Sequence, residues 1–173
     1  PRMVGGEAVY DWELEAYSVS YFRSWNKEYI PLPRYMQPKA QLMTAVNGFN
    51  DRNMINQCLL YRFIISYEPY NFKGWLHDFP ETVAYGQRMD ALRSEFAQLF
   101  WDGEYGDICG ATAVNAQGKP HHPYAVYTAK NGKQGLVVCN YETMPVTVYP
   151  RLDSGEPLTQ YRLVDGDAFT SVQ

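Results

Sequence analysis

Apolar positions change rhythm along this chain, and the change falls near Asp107. Before it, helix-period stripes alternate with short extended runs. After it, short alternating segments are separated by Gly, Pro and Asn. The clearest stripe is Tyr85, Met89, Leu92, Phe96 and Leu99, whose 4-3-4-3 steps keep one face of a helix apolar. Asp78 with Glu81 three residues on has the form of a capping box. Pro80 lies in the first turn, and Gly103 is the expected stop. A second helix is predicted from Asn50 or Asp51 to about Ser66, with Met54, Cys58, Tyr61 and Ile65 on a common face and Pro69 closing it. A third is predicted over about Asp11 to Trp25, through Leu14, Tyr17, Tyr21 and Trp25. Met3–Ala8, interrupted by Gly5-Gly6, and Gln41–Val46 read as strands. The prolines in Ile30–Met36 make that segment extended.

Beyond Asp107 the strand candidates are Ile108–Val114, Tyr124–Ala129, Gln134–Asn140, Val146–Tyr149 and Tyr161–Val164. Asn131-Gly132 is a tight-turn signal between two of them, because both residues tolerate positive φ. Strands this short and this closely spaced predict an antiparallel β-sandwich. The expected division is therefore an α/β piece over residues 1–106 and a β module over 107–173.

Composition narrows the classes. Hydrophobic residues make up 46% of the 173, enough for a real core. Net charge is −4 and the basic side chains are scattered, so nucleic acid is not an expected partner. No apolar run approaches the ~18 residues of a membrane span, so no membrane partner is expected either. The chain opens on Pro1-Arg2 without a signal-peptide pattern; this reads as a fragment or a processed piece and leaves localisation open. Cys58, Cys109 and Cys139 have no ligand spacing and are expected to be buried free thiols; neither a metal nor a cofactor is implied. No GxSxG, P-loop, GxGxxG or HExxH occurs, which removes motif support for serine-hydrolase, nucleotide and metalloprotease chemistry. His121-His122, between two prolines, reads as an exposed loop pair.

Aromatics stand at 16%, with fifteen tyrosines and four tryptophans. Such rings suit surfaces that are apolar with a polar edge, including sugar sites and domain interfaces. They crowd into ISYEPYNFKGWLHDFPET, residues 65–82. Tyr67, Tyr70, Phe72 and Trp75 are expected either to stack on sugar rings or to cement one domain to the next, with cementing slightly ahead.

The segments MDALRSEFAQLFWDGEYGDICGATA, YAVYTAKNGKQGLVVCNYE and VTVYPRLDSG resemble the last barrel helix, linker and first sandwich strands of bacterial glycoside-hydrolase-like proteins. The resemblance spans roughly residues 50–165 and is one of pattern. It implies an α/β plus all-β chain: the last units of a (β/α)8 barrel followed by a small accessory β-sandwich. The remainder of the barrel would then be a partner, since an intact barrel takes ~250 residues.

It also implies a carbohydrate substrate, cleaved by paired carboxyl groups at strand ends. GGEAVYDWE resembles the end of a late barrel strand, which makes Glu7 the expected catalytic carboxylate and Asp11 the next choice. An ordinary solvated loop carboxylate is the alternative for Glu7. Arg34 and Tyr35, held among prolines, are candidate substrate contacts, as are Glu68, Tyr70 and Trp75. Glu68 is read at a helix end, against the helix dipole, with pairing to Lys73 or Arg62 as its alternative. Two other classes stay open: a non-catalytic carbohydrate-binding module, and a structural or interaction protein with a tyrosine-rich interface.

Overall fold

The computed structural model describes residues 5–6, 18–21, 32–48, 51–69 and 73–172. It is a mixed α/β molecule with a parallel four-stranded sheet and small antiparallel sheets. Two compact units divide at Asp90/Ala91.

The first unit holds the parallel sheet: β1 (Gly5–Gly6), β2 (Val19–Tyr21), β3 (Leu42–Val46) and β4 (Phe63–Tyr67). Spatial order equals sequence order, and every neighbouring pair is parallel. No closed barrel is present among the described residues. Helix α1 (Leu32–Met36) precedes β3, and α2 (Arg52–Leu60) joins β3 to β4. One face of the sheet carries Leu42, Thr44, Val46 and Phe63. It is buried with Ile55, Cys58, Leu59 and Leu60 of α2. The other face carries Tyr21, Met43, Ile64 and Ser66, all half-buried. Asp51 caps α2 through its carboxylate, which accepts from Met54 N.

Three expected elements differ. The helix over 11–25 is a strand where it is described: Val19–Tyr21 pairs on both sides with parallel neighbours, so tertiary pairing overrides helical spacing. The extended reading of Ile30–Met36 gives way to α1, because Pro33 falls in a first turn, where its missing N–H costs nothing. The helix expected to run to Ser66 stops at Leu60. Arg62 then turns the chain in the left-handed region (φ 58°), and FIISY, rich in β-branched and aromatic residues, becomes β4.

A 3-10 turn (Leu76–Asp78) leads into α3 (Pro80–Glu95), followed by α4 (Ala97–Phe100). Tyr85, Met89, Leu92 and Leu99 are buried as their stripe predicts. Asp78 caps the 3-10 turn instead of α3, its carboxylate accepting from Trp75 N at 2.9 Å. Helix α3 breaks at Phe96, before the expected stop at Gly103.

The second unit carries β5 (Glu104–Tyr105), β6 (Ala111–Asn115), β7 (Tyr124–Thr128), β8 (Gln134–Val138), β9 (Val148–Leu152), β10 (Gln160–Tyr161) and β11 (Thr170–Ser171). They form sheets β5-β7-β8, β6-β9 and β10-β11, all antiparallel. Ala111, Ala113, Tyr124, Val126 and Leu152 make the core against Leu136, Val148 and Leu158. Phe100 of α4 packs edge-on against Tyr127 at 5.1 Å. This unit therefore begins within the helical segment, ahead of the composition change at Asp107. Cys58 and Cys139 are buried, and burial pushes the Cys139 thiol up to about 12; Cys109, expected to be buried, is exposed.

Candidate functional site

Parallel strands give a sheet two chemically different ends, and the candidate residues separate between them. Arg34 lies at the end where strands begin. It is 0% exposed. Its Nε donates to Tyr61 O (2.8 Å), Nη2 to Arg62 O (2.9 Å), and Nη1 to Pro38 O and Ala40 O (both 2.8 Å). Those carbonyls belong to the segments that enter β3 and β4. A guanidinium spread over them ties two strand starts together, a job its planar fork suits. The expected role as an open substrate clamp does not match this placement. Tyr35, beside it on α1, is 39% exposed.

Glu68 lies at the opposite end, one strand length away, roughly 16 Å at ~3.3 Å per residue. It follows β4 directly, so it sits at a strand end and not at a helix end. Its backbone N–H continues the ladder to Val46 O (3.0 Å). Side chains alternate along a strand, so Tyr67 points toward the helix layer while Glu68 points to the other face. On that face Tyr21, at the end of β2, donates its hydroxyl to Glu68 Oε2 at 2.9 Å, reaching across β3. Glu68 is 1% exposed. Oε1 has no hydrogen-bond partner among the described residues. Neither Lys73 nor Arg62 pairs with it. An acceptor buried without a donor costs about 1–3 kcal/mol, so an unfilled one signals a site as much as a defect.

The loop after β3 is held by its neighbours at the same end of the sheet. Thr82, in the first turn of α3, donates to Gly48 O and accepts from Asp51 N, both at 2.9 Å. Burial lifts the Asp51 carboxyl above its ordinary range, while N–H groups of Met54, Gly48 and Asn47 pull it the other way. Tyr67 lies against α3 at Gly86, where an added Cβ would fall on its hydroxyl.

Trp75 is 71% exposed and lies parallel to the His77 ring, centroids 6.4 Å apart. It offers an open aromatic face. Glu7, Asp11, Tyr70 and Phe72 lie outside the described residues. Among the described residues no cluster of His, Cys, Asp and Glu is arranged to hold a metal, and no helix is long and apolar enough to cross a membrane. A depression of about 200 Å³ in the second unit, lined by Gln98, Asp102, Ala129, Lys130 and Asn131, offers no aromatic surface. It is also smaller than the ~300 Å³ typical of ligand pockets.

Sequence reasoning singled out Glu68 but missed Tyr21 as its partner. The sequence signal is slight: Val19-Ser20-Tyr21 alternates with a β-branched residue and an aromatic, types that favour strands. Compared with protein-family models, curated proteins and solved structures, the chain matches none.

Proposed function

We propose that this chain is part of a carbohydrate-active protein that hydrolyses glycosidic bonds, built on late units of a (β/α)8 barrel with a small β-sandwich after it. The observation that carries the reading is Glu68, a buried carboxylate at the C-terminal end of the last parallel strand with one oxygen unpartnered. Barrel enzymes assemble their chemistry from such strand ends. The strand order 1-2-3-4 agrees with a barrel, because a doubly wound sheet of this size reverses direction at a switch point. Glu7 follows β1 in the chain as Glu68 follows β4, and it supplies the second carboxyl, with Asp11 next. The remaining strands of the barrel are the structural partner, and a carbohydrate is the substrate. No cofactor enters the reaction, since two carboxyl groups suffice for it.

Glu68→Gln in the full-length protein tests the reading on a panel of aryl glycosides. A fall in kcat of about 100-fold or more assigns the carboxyl to proton transfer or attack. A rise in KM at constant kcat makes it a substrate contact. Unchanged turnover ends the reading. A non-catalytic sugar-binding module is the second reading, favoured by the open Trp75 ring; sugar binding without turnover by the wild type selects it.

A further inference from the structure

We infer that the Tyr21–Glu68 pair selects neutral, hydroxyl-bearing sugars and rejects acidic ones, a specificity that rests on the carbohydrate reading above. Glu68 has two oxygens. Tyr21 fills Oε2 from within the protein at 2.9 Å, and Oε1 is left without a donor among the described residues. A carboxylate only accepts, so what completes it must donate. Hydroxyl groups are the donors that every neutral sugar carries.

The same carboxylate penalises a second negative charge. Arg34, a buried cation of this unit, is committed to carbonyls at the other end of the sheet and does not pair with Glu68. A uronic or sulfated sugar would set one anion against another where little water screens them. Like charges brought together in a binding site are a recognised device for excluding the wrong partner. Tyr21 and Ser66, which share this sheet face with Glu68, are half-buried and uncharged.

Tyr21 acts as a positioning residue. By occupying Oε2 it fixes which oxygen is presented. Replacing its hydroxyl therefore changes how well the carboxylate is held but leaves its charge in place.

The test uses the full-length protein and matched pairs of methyl glycosides and methyl glycosiduronates, in gluco and galacto configuration and both anomers, titrated by NMR. Wild type is expected to bind the neutral member of a pair at least about tenfold more tightly than its uronate. In Glu68→Gln that ratio falls to within about twofold, because the amide removes the charge and keeps the shape. In Tyr21→Phe affinity for the neutral member weakens and the ratio persists. Equal binding of both members by wild type overturns the specificity and leaves the carbohydrate reading standing. So does a ratio that survives Glu68→Gln, or one lost in Tyr21→Phe at an unchanged melting temperature. Absence of binding by every glycoside sinks the carbohydrate reading, and this inference with it.

Discussion

Arg34 and Glu68 are opposite charges buried on one sheet, and neither pairs with the other: Arg34 donates to backbone carbonyls, while Glu68 accepts from Tyr21 through one oxygen only. Arg34 has carbonyls for its donors, so its guanidinium is held by hydrogen bonds that a charged donor makes strongly. A lysine in its place keeps the charge but not the fork. It cannot reach Tyr61 O and the strand-3 entry carbonyls together. Arg34→Lys is therefore expected to cost about 3 kcal/mol, two charged hydrogen bonds at the low end of their range. Urea unfolding measures it as a lowered midpoint at constant m. On the proposed function, sugar binding by the folded fraction should be unchanged, because the residue lies a strand length from Glu68. A cost below ~0.5 kcal/mol, the size of an ordinary surface substitution, would contradict the buried fork.

Helix α3 meets β4 where Gly86 makes room for the Tyr67 hydroxyl. Helix propensity alone favours Gly86→Ala by ~1 kcal/mol. The collision opposes it, and overpacking of this kind costs typically ~1–3 kcal/mol. The expected result is net destabilisation in the Tyr67 background and recovery of most of it in Tyr67→Phe, a coupling that a double-mutant cycle in urea reads directly. Additive effects would remove the contact from the account. The same elements show what the sequence made legible. The α3 stripe was readable because more than three turns keep one period. The Asp51 cap and the Asn131-Gly132 turn were readable because their chemistry is local: Gly132 adopts φ 85°, and Asn131 Oδ1 accepts from Lys133 N. β4 was not readable. Met54, Cys58, Tyr61 and Ile65 keep helical spacing straight across the α2–β4 junction, and the turn there is made by Arg62 without the usual glycine. That misreading hid the strand end, so Glu68 stood out for a helix-dipole reason that does not apply; the separate helix reading over 11–25 put Tyr21 on a helix face instead of in β2. Arg34 was misjudged for a different cause, since nothing local tells an arginine that docks on carbonyls from one that faces solvent.

At the scale of the molecule, β4 is the last strand in the parallel order, and among the described residues Phe63-Ile64-Ile65-Ser66-Tyr67 is an edge with no charge and no proline. Edge strands normally carry such blocking residues, because a bare row of N–H and C=O groups templates pairing with another chain. Phe63 and Ile65 are turned to the helix side, where Phe63 is fully buried. Ile64 and Ser66 share the half-buried face with Glu68. A neighbouring strand laid along β4, as in the proposed barrel, would cover the edge and that face together. Prepared without such a neighbour, this chain is expected to self-associate as its concentration rises. Sedimentation velocity from micromolar to hundreds of micromolar would show the weight-average coefficient climbing. Ile64→Lys places a charge on the half-buried face beside the edge without touching the helix-packed side, and should return the chain to a single species. A wild-type coefficient that stays flat over the whole range would mean that β4 is already protected, and would remove the open edge as support for further strands.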